Sequence, residues 1–238
     1  MTRPYRVVLF DLFGTVVHFV PPPPDAARMY EWLRGPFEQL RPDLLFDDFR
    51  RALREVSAAM HEGRAPEHRE HPSRERFRRA LERFDATPDP AIAETLSLAH
   101  MAHLSEQTAM PASHLELLRA LSARYRLGLV SNFDHAPTAQ AILARYDVHR
   151  CFDVTLISDD YGRRKPHPSI FEEALFRLGV TPAEALYVGD SAAHDVVGAQ
   201  GIGLDVAWIN RHGDDPPDPP PTHVLRELAD LRALLLGI

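Results

Sequence analysis

Val7-Val8-Leu9-Phe10-Asp11-Leu12-Phe13-Gly14-Thr15 is a short apolar run that stops at a carboxylate and then turns at a glycine. The apolar residues predict a strand buried on both faces of a sheet. A loop leaving the C-terminal end of such a strand puts Asp11 at the edge where open parallel sheets hold their ligands. Read outward from this stretch, the first strand covers about Arg6 to Phe10, and Val16-Val17-His18-Phe19 suits a small hairpin or flap. Pro21 to Pro24 then form a stiff extended connector and a candidate hinge, because four prolines cannot enter a helix interior or a central strand.

From Asp25 to about Met110 the apolar spacing becomes helical and no convincing strand occurs. Met29, Leu33, Phe37 and Leu40 define one helix, and Phe46, Phe49, Leu53, Val56 and Met60 a second. Ser73 is placed to cap a third that buries Phe77, Leu81 and Phe84, and Pro90 to open a fourth over Ile92 to Leu104. After Pro111, helix and strand alternate. Helices are predicted around Leu115–Leu121, Ala136–Tyr146, Pro168–Leu178, Asp195–Gln200 and Val224–Leu236. Strands are predicted at Leu127–Val130, Val154–Ile157, Leu186–Val188 and Val206–Ile209. Such alternation implies an α/β fold, a Rossmann-like doubly wound parallel sheet with helices on both faces. The first strand belongs to it, so a core of residues 1–20 and 111–238 is interrupted by an all-helical insert of residues 21–110. Asp214 to Pro221 is a proline-rich surface connector.

Composition narrows the function. With 238 residues, 45% hydrophobic and 26% charged, the chain is expected to be a folded globular enzyme. A net charge of -7 offers no basic footprint for nucleic acid. The single cysteine, Cys151, is expected to be a buried structural thiol; it excludes an internal disulfide and fits a reducing cytoplasm. No signal segment or membrane-spanning stretch is found, so a cytoplasmic protein is expected.

Residues just past parallel strands converge at one sheet edge. Here those residues are Asp11 and Thr15, then Ser131 and Asn132, then Lys165, then Asp190, Ser191 and Asp195. Carboxylates with hydroxyls, an amide and a lysine suit a hard divalent cation and a phosphoryl group. Asp11, Asp190 and Asp195 can share a magnesium ion, Lys165 offsets negative charge, and Ser131 or Thr15 hold non-bridging oxygens. A carboxylate can also be a nucleophile. Singly, each residue has a plainer role: Ser131 and Asn132 as helix caps, Asp195 as a helix-start charge, Lys165 as a surface lysine. Their joint placement favours chemistry.

In order, Asp11-Leu12-Phe13-Gly14-Thr15, Val130-Ser131-Asn132, Lys165-Pro166-His167-Pro168 and Gly189-Asp190-Ser191 with Asp195 resemble the four motifs of the haloacid dehalogenase superfamily. The resemblance covers Arg6 to Val17 and Pro111 to Ile209, and the helical insert is similar to the cap of the capped subfamily. It implies a hydrolase of a small phosphorylated substrate, with Asp11 as nucleophile, Ser131 and Lys165 as catalytic partners, and Thr15, Ser131, Asn132 and Lys165 as substrate-binding groups. The implied Mg²⁺ ligands are Asp11, the backbone carbonyl of Phe13 and Asp190, with Asp195 close to the metal or the lysine.

Phe13 departs from the pattern, since most phosphatases of the family carry there an aspartate that serves as general acid and base. An aromatic at this position also resembles the L-2-haloacid dehalogenases, which need no metal. Asp190 argues against that reading, because those enzymes have serine there. A weakly active or inactive relative kept for binding another protein is a third reading. His18, His135 and His194 lie near the active-site loops and are candidate substitutes for the missing acid. Arg34 and Arg41 are candidate substrate arginines of the insert. His61, His68 and His71 are read as a solvated connector, and Arg74, Arg76, Arg78, Arg79 and Arg83 as a wet helix face.

Overall fold

The computed structural model describes residues 5–20 and 28–237. The expected hinge at Pro21 to Pro24 lies outside the described residues. The chain divides into two compact units, one of Met1–His18 with Ala109–Ile238 and one of Phe19–Thr108. Both divisions fall two residues before the boundaries read from the sequence.

The first unit begins with β1 (Val7–Phe10) and is left through β2 (His18–Phe19). The helical unit holds α1 (Arg34–Leu40), α2 (Phe46–Glu62), α3 (Ser73–Leu81) and α4 (Pro90–Glu106). The chain returns through β3 (Thr108–Ala109) into α5 (Ala112–Ser122), β4 (Arg126–Ser131), α6 (Ala136–Arg145) and β5 (Val154–Ile157). Then follow α7 (Ser158–Tyr161), α8 (Pro168–Leu178), β6 (Ala185–Gly189), α9 (Val197–Gln200), β7 (Asp205–Ile209) and β8 (His223–Leu225).

Six of these strands make one parallel sheet in the order β5-β4-β1-β6-β7-β8. All four residues of β1 are fully buried, as a central strand covered on both faces requires. On one face Val7, Leu9, Val130 and Leu156 pack with Ile170, Phe171 and Leu175 of α8. The chain builds outward from β1 through β4 to β5, then resumes on the other side with β6. The strand order therefore reverses between β1 and β6, the place where open α/β sheets form their crevice. Asp11 follows one of those two strands and Asp190 the other.

The second unit is helical because its apolar residues repeat at helical spacing and bury one shared stripe. Phe37, Phe49, Leu53, Phe77, Leu81 and Leu96 are completely buried, and Phe37 stacks on Phe49 with ring centroids 4.3 Å apart. Pro90 opens α4 as expected, with the Asp89 side chain accepting the Ala91 N–H at 2.9 Å.

Four sequence expectations are corrected. Ser73 is the first residue of α3, with Pro72 at the cap position, and its buried hydroxyl has no partner among the described residues. Helix α3 ends at Leu81, leaving Phe84 exposed. Thr108–Ala109 is a strand in a segment expected to have none. The helix expected over Val224–Leu236 begins instead as an edge strand, and only a 3₁₀ turn, Leu228–Asp230, and a π-helical stretch, Arg232–Leu236, are helical. His223–Leu225 pairs with β7, and the Asp230 carboxylate accepts the N–H groups of Arg226 and Glu227, so a new turn starts at Leu228.

Candidate active site

Asp11 stands one residue past β1, its N–H donating to Val188 O at 2.9 Å and so continuing the sheet pairing. Behind it the chain reverses through a tight turn in which Val16 and Val17 both donate to Leu12 O at 2.9 Å and Gly14 donates to Val17 O at 2.8 Å. Gly14 has φ +87°, and a Cβ there would lie 2.1 Å from Asp190 Oδ2. Only glycine both makes this turn and lets the Asp190 carboxylate approach.

Lys165 is the hub. Its Nζ donates to Asp11 Oδ1 at 2.6 Å, to Asp195 Oδ1 at 2.7 Å and to the Tyr187 hydroxyl at 2.8 Å. Burial acts against its charge, but Asp11 and Asp195 outweigh that and raise its pKa. Asn132 places the lysine by gripping its backbone from both ends of one amide: Lys165 N–H donates to Asn132 Oδ1 at 2.8 Å, and Asn132 Nδ2 donates to Lys165 O at 2.9 Å. Asn132, expected to bind substrate, is thus spent on shaping the lysine loop. Asp195 lies in a π turn, Ala192–Val196, that follows Asp190, and its Oδ2 accepts the Ser191 N–H at 3.0 Å. Its Oδ1 meets Lys165 Nζ and the Tyr187 hydroxyl, so Asp195 is a direct partner of the lysine. A Cβ on Gly189 would fall 2.4 Å from Asp195 Oδ2, so this close approach also needs glycine.

Asp190 completes the group. Ligand atoms of Asp11, Asp190 and Asp195 all lie within 4.8 Å of one another. Burial pushes Asp11 up to about 7 against the pull of Lys165, with Asp195 and Asp190 pushing the same way as burial. Burial and Asp195 push Asp190 up to about 6, opposed by Arg211 and Lys165. Three close carboxylates against one buried ammonium leave negative charge that a hard divalent cation fits, with oxygen-only donors of the kind magnesium takes. Asp11, Asp190 and Asp195 are the acidic side chains brought together there.

Thr15 and Ser131, expected to hold phosphate oxygens, are completely buried, and their hydroxyls have no hydrogen-bond partner among the described residues. Thr15 lies in the loop after β1 and Ser131 ends β4; buried hydroxyls are ordinarily satisfied, so both can donate to a ligand with acceptor oxygens. Phe13 lies against Phe133, ring centroids 4.6 Å apart, an aromatic pair where an acid would stand.

The other candidates are engaged elsewhere. His18 packs edge-on to His114, and burial with the nearby Arg211 lowers it to about 4. His135 Nδ1 bonds Thr138 Oγ1 and His194 Nδ1 bonds Ser191 Oγ. Arg34 pairs with Glu31 and Asp47, and Arg41 makes a two-pronged pair with Asp43, all within the helical unit. Arg78 and Arg79 pair with Glu75. Cys151 is buried, and burial raises its pKa.

Three residues at this edge were not found from the sequence. Tyr187 joins the lysine network; Trp208 Nε1 donates to Asp190 O at 2.9 Å; Arg211 donates to Gly14 O. Tyr187 carried the one available signal, a phenol in an otherwise apolar buried strand whose hydroxyl must find a partner.

This fold and this cluster define a class. Residues 5–203 match the model of a haloacid dehalogenase-like hydrolase, and the chain belongs to that family. It is 30% identical over 224 residues to glyceraldehyde 3-phosphate phosphatase of Methanopyrus kandleri, covering 90% of this chain and 91% of the relative. The crystal structure of a HAD phosphatase from Thermococcus onnurineus superposes with a TM-score of 0.70 at 28% identity, covering 98% of both chains. A 2-haloacid dehalogenase from Pseudomonas syringae superposes with a TM-score of 0.75 over 98% of this chain and 99% of its own; at 24% identity that likeness is one of fold.

Proposed function

We propose that the chain is a metal-dependent phosphatase that hydrolyses a small phosphate monoester through an aspartyl-phosphate on Asp11. The observation that carries this reading is the set of three carboxylates within 4.8 Å around one buried lysine. The orphaned hydroxyls of Thr15 and Ser131 support it, as do the names of the phosphatase relatives.

The steps follow from the residues. Lys165 occupies Asp11 Oδ1, leaving Oδ2 to attack phosphorus as the bond to the substrate oxygen breaks. Water then attacks the same phosphorus, the bond from phosphorus to Asp11 breaks, and the carboxylate returns with inorganic phosphate released. Lys165 steadies the negative charge, and the Ser131 and Thr15 hydroxyls donate to the non-bridging oxygens. A magnesium ion held by Asp11, Asp190 and the Phe13 carbonyl supplies charge neutralisation on the transferring group. Phe13 gives no proton to the leaving alkoxide, which must take one from water. The helical unit serves as the cap that selects the substrate, and a cytosolic setting, suited to the single free cysteine, belongs to the same proposal.

The tilted Phe13–Phe133 ring pair favours one second reading, a dehalogenase in which Asp11 displaces halide from carbon. Asp190 opposes it: with no cation, an extra carboxylate repels both the nucleophile and a carboxylate substrate. Turnover of a panel of phosphate monoesters and L-2-haloacids, each with Mg²⁺ and with EDTA, separates the two. Phosphate release that EDTA abolishes is expected; halide release that EDTA leaves untouched would replace the phosphatase reading.

A further inference from the structure

The reaction outlined above leaves Tyr187 without a task. It stands fully buried in the middle of β6 among Ala185, Leu186, Val188 and Gly189. Its ring is held edge-on by Phe171 of α8, centroids 5.2 Å apart at 73°. A phenylalanine would fill this slot with the same apolar contact, so the hydroxyl calls for its own explanation. It accepts from Lys165 Nζ at 2.8 Å, and it has Asp195 Oδ1 at 3.0 Å and Val130 O at 3.3 Å as acceptors for its own proton.

An ammonium carries three N–H donors. Around Lys165 Nζ there are three acceptors at 2.6, 2.7 and 2.8 Å, namely Asp11 Oδ1, Asp195 Oδ1 and Tyr187 Oη, one for each donor. The two carboxylates attract the charge from any direction, so by themselves they do not choose how it is shared. The phenol oxygen is neutral and directional, and it also holds Asp195 Oδ1 in place.

We propose that Tyr187 is a positioning residue for the reaction: its hydroxyl takes the third ammonium proton and so fixes the N–H of Lys165 that points at Asp11. The inference rests on Asp11 being the nucleophile. Without the hydroxyl one ammonium proton loses its acceptor, and the lysine is free to turn toward Asp195, away from the group it must steady.

The test is Tyr187→Phe in the full-length protein, a change of one oxygen, with circular dichroism showing first that the variant folds. Two readouts follow. In protein labelled with ¹⁵N-lysine, the buried Lys165 ammonium gives a slowly exchanging signal. In Tyr187→Phe that signal shifts and exchanges at least about tenfold faster, as loss of one of three partners requires. For a phosphate monoester, kcat falls about tenfold to a hundredfold while KM stays within about twofold, since what is lost acts in the transition state. An unaltered ammonium signal, or an unaltered kcat, in the folded variant overturns the proposal. If the wild-type protein releases no phosphate, the phosphatase reading fails while the ammonium signal still decides the role of Tyr187. Should Tyr187→Phe not fold, Phe171→Leu removes the ring's support and keeps the hydroxyl. A smaller change of the same kind in the signal supports the proposal, and no change overturns it.

Discussion

The two units hold charge in opposite ways. In the sheet unit Lys165 and Asp195 are 2% and 1% exposed and are locked together with Asp11. In the helical unit most ion pairs lie in water, the enclosed Arg64–Glu70 pair excepted: Arg34, 39% exposed, meets Asp47 at 65%, and Arg78 and Arg79 meet Glu75 on the surface of α3. Exposed pairs contribute roughly 0.2–1 kcal/mol each, so the helical unit is held by packing of Phe37, Phe49, Leu53, Phe77 and Leu81. Buried ions carry a desolvation cost that an apolar replacement would avoid, so stability alone gives no reason to keep them. Charge that persists in the centre of a fold points to chemistry, and charge spread over a helical surface does not.

The contrast predicts unequal responses to losing one charge. Lys165→Met leaves Asp11 and Asp195 buried without their cation; it is expected to destabilise the sheet unit by about 3–5 kcal/mol in urea unfolding. The same variant should lower turnover at least about a thousandfold, since nucleophile and transferring group both lose their support. Stability within about 1 kcal/mol of wild type would show that the cluster is not closed as described.

Phe13→Asp tests the opposite change, adding a carboxyl where the aromatic pair stands. On an alkyl phosphate it is expected to raise kcat about 10–100-fold, up to the lower end of the roughly 10²–10⁴-fold that general acid–base help supplies, and to act less on an aryl phosphate whose leaving group needs little protonation. Equal gains on both substrates, or none in a folded variant, would show that the missing acid does not limit the rate.

Acid should reach the helical unit through His100, the buried histidine of α4. It lies among Tyr30, Trp32 and Phe77, and burial lowers it to about 3, with Arg76 and His103 acting in the same direction. Its folded value lies below that of a free histidine, so unfolding takes up a proton. The contribution is full above pH 6.5 and is lost as pH falls toward about 3, at up to about 1.4 kcal/mol per pH unit. Trp32 and Trp208 are the two tryptophans of the chain, so in a Trp208→Phe background Trp32 fluorescence follows the helical unit by itself. Adding His100→Phe should flatten the decline between pH 6.5 and pH 5; an unchanged slope would assign it to other groups. The smallest effect is expected of Arg34→Ala, whose solvent-screened pairs with Glu31 and Asp47 should leave the thermal unfolding midpoint close to that of wild type.

The two units also differ in how far the sequence revealed them. In the sheet unit, local chemistry repeats the global plan: apolar β1 ends at Asp11, β4 at Ser131, β6 just before Asp190, and α8 runs from Pro168 to Leu178 as its spacing predicts. What escaped detection depends on partners distant in the chain. Arg211 reaches Gly14, 197 residues away, and Tyr187 reaches Lys165 across 22. The apolar spacing of Val224 to Leu236 reads as one helix, but the edge of β7 captured His223–Leu225 and Asp230 restarted the chain beyond it, so the π-helical stretch begins only at Arg232. In the helical unit spacing located the helices but could not say which charged residues were committed. Arg34 and Arg41 both stood as open candidates, and both have acidic partners of their own.

That Asp11 forms its bond to phosphorus is tested most directly by quenching turnover of a phosphate monoester in acid and treating the protein with sodium borohydride, which reduces an aspartyl phosphate to homoserine, with Asp11→Asn alongside. Mass spectrometry of the wild-type peptide is expected to find homoserine at position 11, and none in the variant. Phosphate release with Asp11 left unreduced would mean that water attacks the substrate directly, and would contradict the aspartyl-phosphate.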